Sequence, residues 1–154
     1  MRLRILILTL FLLLAVSSST WAGEKTVFEQ MAENSIAMGE SQAISYDQLQ
    51  KILNSGEEVV LLDVRDESSY EHGHIKGAVS LALDKLNEES VAKILSSKKA
   101  NVIVYCQSFW CPMSLKASET LHKMGYTNVL DYKGGIKEWQ DLGQAVEQIN
   151  PSAT

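Results

Sequence analysis

Cysteine is scarce in this sequence. Of 154 residues only Cys106 and Cys111 carry thiols, and both lie in one short segment. A disulfide framework that staples a small fold ties distant segments together. A bridge between these two would close only a tiny loop and add little global stability. Fold maintenance is therefore a poor explanation for the pair, and local chemistry is a better one. Arginine is scarcer than lysine, with Arg2, Arg4 and Arg65 alone, and the 14 Lys and Arg residues are scattered among 19 Asp and Glu for a net charge of −5. No basic stripe exists to hold a phosphate backbone, so nucleic acid is not an expected partner. The acidic excess reads as a solubility feature. His72 and His122 fall on predicted helical or turn surfaces, too dispersed for an evident metal site. Neither a metal nor a cofactor is expected. Internal repeats and low-complexity segments are missing as well.

The first residues differ from the rest. Met1-Arg2-Leu3-Arg4 is basic, residues 5–16 are apolar apart from Thr9, and residues 17–22 are small and polar apart from Trp21. Charge, oil and small residues in that order predict a secretory signal peptide over 1–22, cleaved after Ala22. The run falls well short of the about 20 apolar residues a membrane span needs. No stable membrane insertion is therefore expected after cleavage. No cysteine stands near the cleavage site, which excludes lipid attachment there. The expected location is outside the cytoplasm, periplasmic in a bacterium and otherwise secreted.

Residues 23–44 carry a weakly amphipathic pattern (Val27, Phe28, Met31, Ile36, Met38) and predict an N-terminal helix or arm lying on the domain. The domain itself is expected over 45–146, followed by a tail at 147–154. Ser45-Tyr46-Asp47-Gln48 opens a clearer helix: Ser45 caps it, Gln48 completes a capping box, and Leu49, Ile52 and Leu53 form the buried stripe. Val59-Val60-Leu61-Leu62 and Val102-Ile103-Val104-Tyr105 are apolar runs without polar alternation, as suits parallel strands buried on both faces. A shorter strand is expected at 128–131. Helical patterns cover 88–96, 114–124 and 136–142. Strands alternating with helices predict a parallel α/β sheet, whose ligands gather at the carboxyl ends of the strands. Asp63 and Cys106 occupy two such ends.

The segment 102–125 carries the most information: a buried strand, then Cys106-Gln107-Ser108-Phe109-Trp110-Cys111-Pro112-Met113, then a helix beginning near Ser114. A thiol between a strand end and a helix start meets unpaired backbone N–H groups, which are expected to favour thiolate. Such a loop can also wrap the anion that the sulfur attacks or becomes. Persulfide formation, phosphate ester cleavage and thiol–disulfide exchange all use this geometry.

Further motifs narrow the choice. Leu62-Asp63-Val64-Arg65, then Tyr70, then Gly73-His74-Ile75-Lys76-Gly77-Ala78 resembles the N-terminal signature of rhodanese domains. Tyr105-Cys106, Gly125-Tyr126 and Gly134-Gly135-Ile136-Lys137-Glu138-Trp139 resemble the catalytic and C-terminal signatures of the same family, over about residues 45–143. The resemblance implies an α/β fold, a five-stranded parallel sheet with helices on both faces, and Cys106 as the catalytic nucleophile. It implies a sulfurtransferase: a donor such as thiosulfate, polysulfide or a protein persulfide leaves sulfane sulfur on Cys106, which passes it to cyanide or a thiol. Loop amides stabilise the anion, and no metal is required, nor a separate base where the thiolate is already present. The partners implied are small sulfur-containing anions or a protein thiol or persulfide. The substrate-binding loop would comprise Gln107, Ser108, Phe109, Trp110, Met113 and Ser114. Asp63 and Arg65 hold strand ends or line the pocket, His74 packs against the sheet, Gly134-Gly135 makes a tight turn and Trp139 joins the core.

The loop departs from the family pattern by being longer. Cys111 stands where a basic residue often lies, Pro112 supplies no N–H, and Phe109 and Trp110 replace small residues. Cys111 is thus either a resolving thiol, which could displace sulfide from a Cys106 persulfide, or a buried small hydrophobe. Two alternatives follow: a thiol–disulfide redox protein served by a thiol reductase, or a catalytically silent binding module. Phosphatases on this fold grip phosphate with a loop arginine. The one arginine beyond Arg4 is Arg65, and Lys116 is a weak substitute, so phosphatase activity is not expected.

Overall fold

The computed structural model describes residues 24–37 and 42–149. The signal peptide expected at 1–22, residues 23 and 38–41 of the N-terminal segment, and tail residues 150–154 lie outside the described residues. In chain order the elements are α1 (Val27–Ala37), β1 (Ala43–Ile44), α2 (Tyr46–Leu53), β2 (Val60–Asp63), α3 (Glu67–His72), β3 (His74–Ile75) and β4 (Val79–Ser80). A 3-10 turn (Leu83–Lys85) leads to α4 (Glu88–Ile94), β5 (Val102–Tyr105), α5 (Met113–Lys123), β6 (Val129–Tyr132), α6 (Gly135–Asp141) and β7 (Val146–Glu147).

The apolar runs become the inner strands of a five-stranded sheet ordered β1-β6-β5-β2-β4, every neighbouring pair parallel. Alternation along each strand sorts side chains into two cores. Leu61, Ile103 and Leu130 face α1, α2 and α6 through Phe28, Leu49, Ile52, Ile136 and Trp139. Leu62, Val102, Val104 and Val129 face α4 and α5 through Val91, Ala117 and Leu121. Helices therefore cover both faces, which is why the strands carry no polar alternation. Among the described residues, no helix is long and apolar enough to cross a membrane.

The capping box at Ser45 is present: its hydroxyl accepts from the Gln48 N–H, and the Gln48 amide oxygen accepts from the Ser45 N–H at 2.8 Å. Leu49 and Ile52 are fully buried, but Leu53, expected in the same stripe, is 38% exposed. It is the last residue of the helix, where the chain leaves through the exposed residues 54–56. The N-terminal helix does more than lie on the domain, because Phe28 is buried in the α1/α2/α6 core. Its first turn is anchored by Glu57, whose carboxylate accepts from the N–H groups of Val27 (2.6 Å) and Phe28 (3.1 Å). An acidic partner at a helix N-terminus satisfies orphan donors and opposes the helix dipole. Replacing Glu57 with alanine is expected to lower the unfolding free energy by about 1 kcal/mol, as measured by urea titration.

A short antiparallel pair, β3 with β7, brings the chain after α6 back to the motif at His74. His74 stacks on Tyr70 with ring centroids 3.8 Å apart, and its Nδ1 lies 2.9 Å from the Tyr70 carbonyl. His122 was expected on a surface. It is instead partly buried, its Nδ1 2.9 Å from the Tyr126 carbonyl and its Nε2 2.5 Å from the Gln42 amide oxygen. The turn after α5 folds back over it.

Candidate active site

Cys106 follows directly on β5, the middle strand, and is 1% exposed. The loop from Gln107 to Pro112 then leads into α5, which starts at Met113, one residue earlier than expected. Two contacts fix the loop from below. The N–H groups of Ile136 and Lys137, in the first turn of α6, donate to the carbonyls of Cys106 and Gln107, each at 3.0 Å. Gly135 makes this approach possible. Its φ is +64°, and a β-carbon there would stand 2.5 Å from the Cys106 carbonyl oxygen. Within the loop, the Cys111 N–H donates to the Ser108 carbonyl at 2.9 Å.

Asp63 and Arg65 form a buried pair at the end of β2. Arg65 Nη2 lies 2.6 Å from Asp63 Oδ2 and donates to the Gly73 carbonyl at 2.6 Å, while Nε meets both carboxylate oxygens. Its Nη1 reaches the Gln107 amide oxygen at 3.3 Å. The lone arginine of the domain is therefore committed to the strand end and to the loop's second residue. At 5% exposure it offers no open fork to a phosphate.

The Cys106 thiol departs from expectation. Its Sγ donates to the Cys111 carbonyl at 3.5 Å. Burial pushes the thiol up from its usual range, and the neighbouring Cys111 side chain pushes the same way; the N–H and hydroxyl of Ser114 oppose both. The expected thiolate-favouring environment is overturned because desolvation outweighs the helix-start donors. Both cysteines are free thiols, Cys106 buried and Cys111 half-buried.

The other loop residues divide in two directions. Cys111 and Met113 pack against the α5-side core. Phe109 (59% exposed) and Trp110 (87%) turn outward, their rings edge to face at 5.1 Å. With Ser108, Ala43, Ile44 and Lys133 they border a cavity of about 710 Å³ beside the loop. The cavity lining is mainly apolar, but Cys106 itself does not line it. The N–H groups of Ser108, Phe109 and Trp110 have no acceptor among the described residues. Also among the described residues, no cluster of three or more His, Cys, Asp or Glu side chains is placed to hold a metal ion.

One residue of the site escaped the sequence reading. Asp131, on β6, is wholly buried, and neither of its carboxyl oxygens has a hydrogen-bond partner among the described residues. The Lys133 ammonium is 3.8 Å from Oδ2. Burial pushes this carboxyl up, opposed by the facing Ser114 hydroxyl and by Lys133. The signal was available: like Asp63, Asp131 sits near the carboxyl end of an apolar strand run, where such sheets keep their chemistry.

This architecture and site agree with comparisons to known proteins. Residues 45–142 match the Rhodanese-like domain family, and the chain belongs to it. It is 38% identical to the protein YqhL of Bacillus subtilis (strain 168) over 79 residues, 51% of this chain and 59% of that one. It is 34% identical to the thiosulfate sulfurtransferase GlpE of Coxiella burnetii (strain RSA 331 / Henzerling II) over 83 residues, 54% of this chain and 73% of that one. The chain thus spans less than two thirds of the length of YqhL. Among solved structures, the BH2092 protein of Bacillus halodurans superposes with a TM-score of 0.66 at 27% identity, covering 79% of this chain and 87% of that one. A thiosulfate sulfurtransferase of Pseudomonas aeruginosa shares the fold, with a TM-score of 0.64 at 23% identity over 80% of this chain and 23% of that one.

Proposed function

We propose that the protein is a sulfurtransferase that carries sulfane sulfur as a persulfide on Cys106. The observation that carries this reading is the thiol's position. It follows the middle strand of a rhodanese-like sheet, faces the Ser114 N–H, and adjoins a loop whose Ser108, Phe109 and Trp110 N–H groups have no acceptor among the described residues. The Cys106 thiolate attacks the outer sulfur of thiosulfate. A new S–S bond forms, the old one breaks, and sulfite leaves with the electron pair. An acceptor thiolate or cyanide then attacks the outer sulfur of the persulfide and regenerates the Cys106 thiolate. The Ser114 N–H favours the anionic sulfur at both stages. Thiosulfate, polysulfide and a protein persulfide are all suitable donors. The 1–22 pattern supports export, to the periplasm in a bacterium.

The test is intact-mass analysis after thiosulfate or polysulfide. Wild-type protein is expected to gain one sulfur atom, removable by reductant, and Cys106→Ser to gain none. Persistence of the adduct in that variant would remove Cys106 as the carrier.

A second reading is favoured by one contact, the packing of Cys111 against the Cys106 thiol. Attack of the Cys111 thiolate on the inner sulfur of the persulfide would expel hydrosulfide and leave a Cys106–Cys111 disulfide, which a thiol reductase would reopen. Excess oxidised glutathione is the direct check: a pair that never bridges under it excludes this route.

A further inference from the structure

The fully buried carboxyl of Asp131 has no hydrogen-bond partner among the described residues, and its ion pair with Lys133 is long at 3.8 Å. Unpaired polar groups in an interior cost stability, and an apolar residue of similar volume would serve the core better. Its placement suggests another purpose. On β5, Val102, Val104 and, one step beyond the strand, Cys106 belong to the α5-side core; on β6, so does Val129. Val104 is in register with Asp131, so strand alternation points the carboxyl to the same side as the Cys106 sulfur. Above both lies α5, whose buried face runs through Ser114, Ala117, Ser118 and Leu121 at helical spacing. Ser114 stands in its first turn and is 2% exposed, on the helix face buried against this core.

We propose that Asp131 is the proton acceptor for Cys106, reached through the Ser114 hydroxyl. The thiol hydrogen points at the Cys111 carbonyl at rest and has to rotate about Cβ–Sγ toward Ser114 for the transfer. The S–H bond then breaks as a new O–H bond forms on Ser114, and the original Ser114 proton passes to an Asp131 oxygen. One negative charge moves from carboxylate to sulfur, and nothing is oxidised or reduced. Facing this group are Lys133 from β6 and the Cys111 thiol from the loop. Ser114 makes no hydrogen bond to Asp131 at rest, so its hydroxyl must turn to the carboxylate as the proton passes. The upward push of burial makes Asp131 a better base than an exposed carboxylate. The inference rests on the sulfur-transfer reading only for what the thiolate does next.

The probe is iodoacetamide, which reports ionisation of Cys106 without any sulfur chemistry. Alkylation is followed at Cys106 by site-resolved fragment mass spectra, across pH, in the full chain. Wild-type protein is expected to show two rises, one as Asp131 loses its proton and one as the thiol ionises outright. Asp131→Asn should lose the lower rise, react about 100-fold more slowly at neutral pH, and approach wild type in alkali. Ser114→Ala should lose the same rise with Asp131 intact, and the double variant should be no slower than either single one. Profiles that keep both rises, or that drop in parallel at every pH, overturn the relay. Should Asp131→Asn fail to give a native circular dichroism spectrum, Ser114→Ala decides alone. If the lower rise behaves as stated while thiosulfate leaves no sulfur on Cys106, the relay stands and the sulfur-transfer reading falls. If sulfur loads but no lower rise exists, the relay falls by itself.

Discussion

Arg65→Met is expected to destabilise the protein by about 3–5 kcal/mol, read as a lowered urea midpoint with an unchanged slope. The reason is what remains behind. Asp63 is 0% exposed, and Arg65 meets both of its carboxylate oxygens. Without the guanidinium, one buried carboxylate loses its counter-charge and most of its hydrogen bonds, and the Gly73 carbonyl loses a donor at 2.6 Å. Removing both charges, as in Asp63→Leu with Arg65→Met, should recover much of the loss, because well-packed apolar pairs often match buried ion pairs. If the double variant is as unstable as the single, the pair is not the source of the effect. Sulfur loading should fall in both variants, since each frees the Gln107 amide from Arg65 Nη1.

The second large effect is expected from Gly135→Ala. A left-handed backbone alone costs an alanine about 1–2 kcal/mol, and Gly135 has φ +64°. The new methyl would in addition press 2.5 Å from the Cys106 carbonyl oxygen and 2.8 Å from backbone atoms of Gln107 and Ser108. Backbone cannot swing away as a side-chain tip would. The loop must lift, and the Ile136 N–H bond to Cys106 must lengthen or break. Gly56→Ala is the internal control: its φ is +80°, with nothing within 4 Å of the added carbon. It should show the conformational cost by thermal unfolding and load sulfur normally. Equal behaviour of the two variants would mean that the close approach beneath the loop carries no weight.

Much of this arrangement could be read from the chain itself. Continuous apolar runs marked β2 and β5 because strands buried on both faces need no polar positions. Ser45 and Gln48 marked a helix start because their side chains satisfy donors that the helix leaves open. The strand-end rule placed Asp63 and Cys106. What could not be read depends on partners far away in sequence. Two-residue strands such as β3 and β7 are too short to show any periodicity. Phe28 looks like part of a weak stripe until Ile44, Leu49 and Trp139 close around the space it fills. The thiol's upward push is a contest between desolvation and nearby donors, and burial at Cys106 depends on α5 and β6 together. Asp131 is the instructive case. Its position was legible, but its neighbour Ser114 lies on a different element and is brought there only by packing.

The sheet order has a bearing on the timing of folding. β1 lies at an edge and pairs only with β6, Ala43 opposite Asp131 and Ile44 opposite Tyr132. The first strand of the chain therefore has no partner until nearly all the rest has been made. Such non-local pairing slows folding, because a large loop must be closed before its contacts count. A chain emerging from the ribosome would add β1 and complete its sheet in one late step.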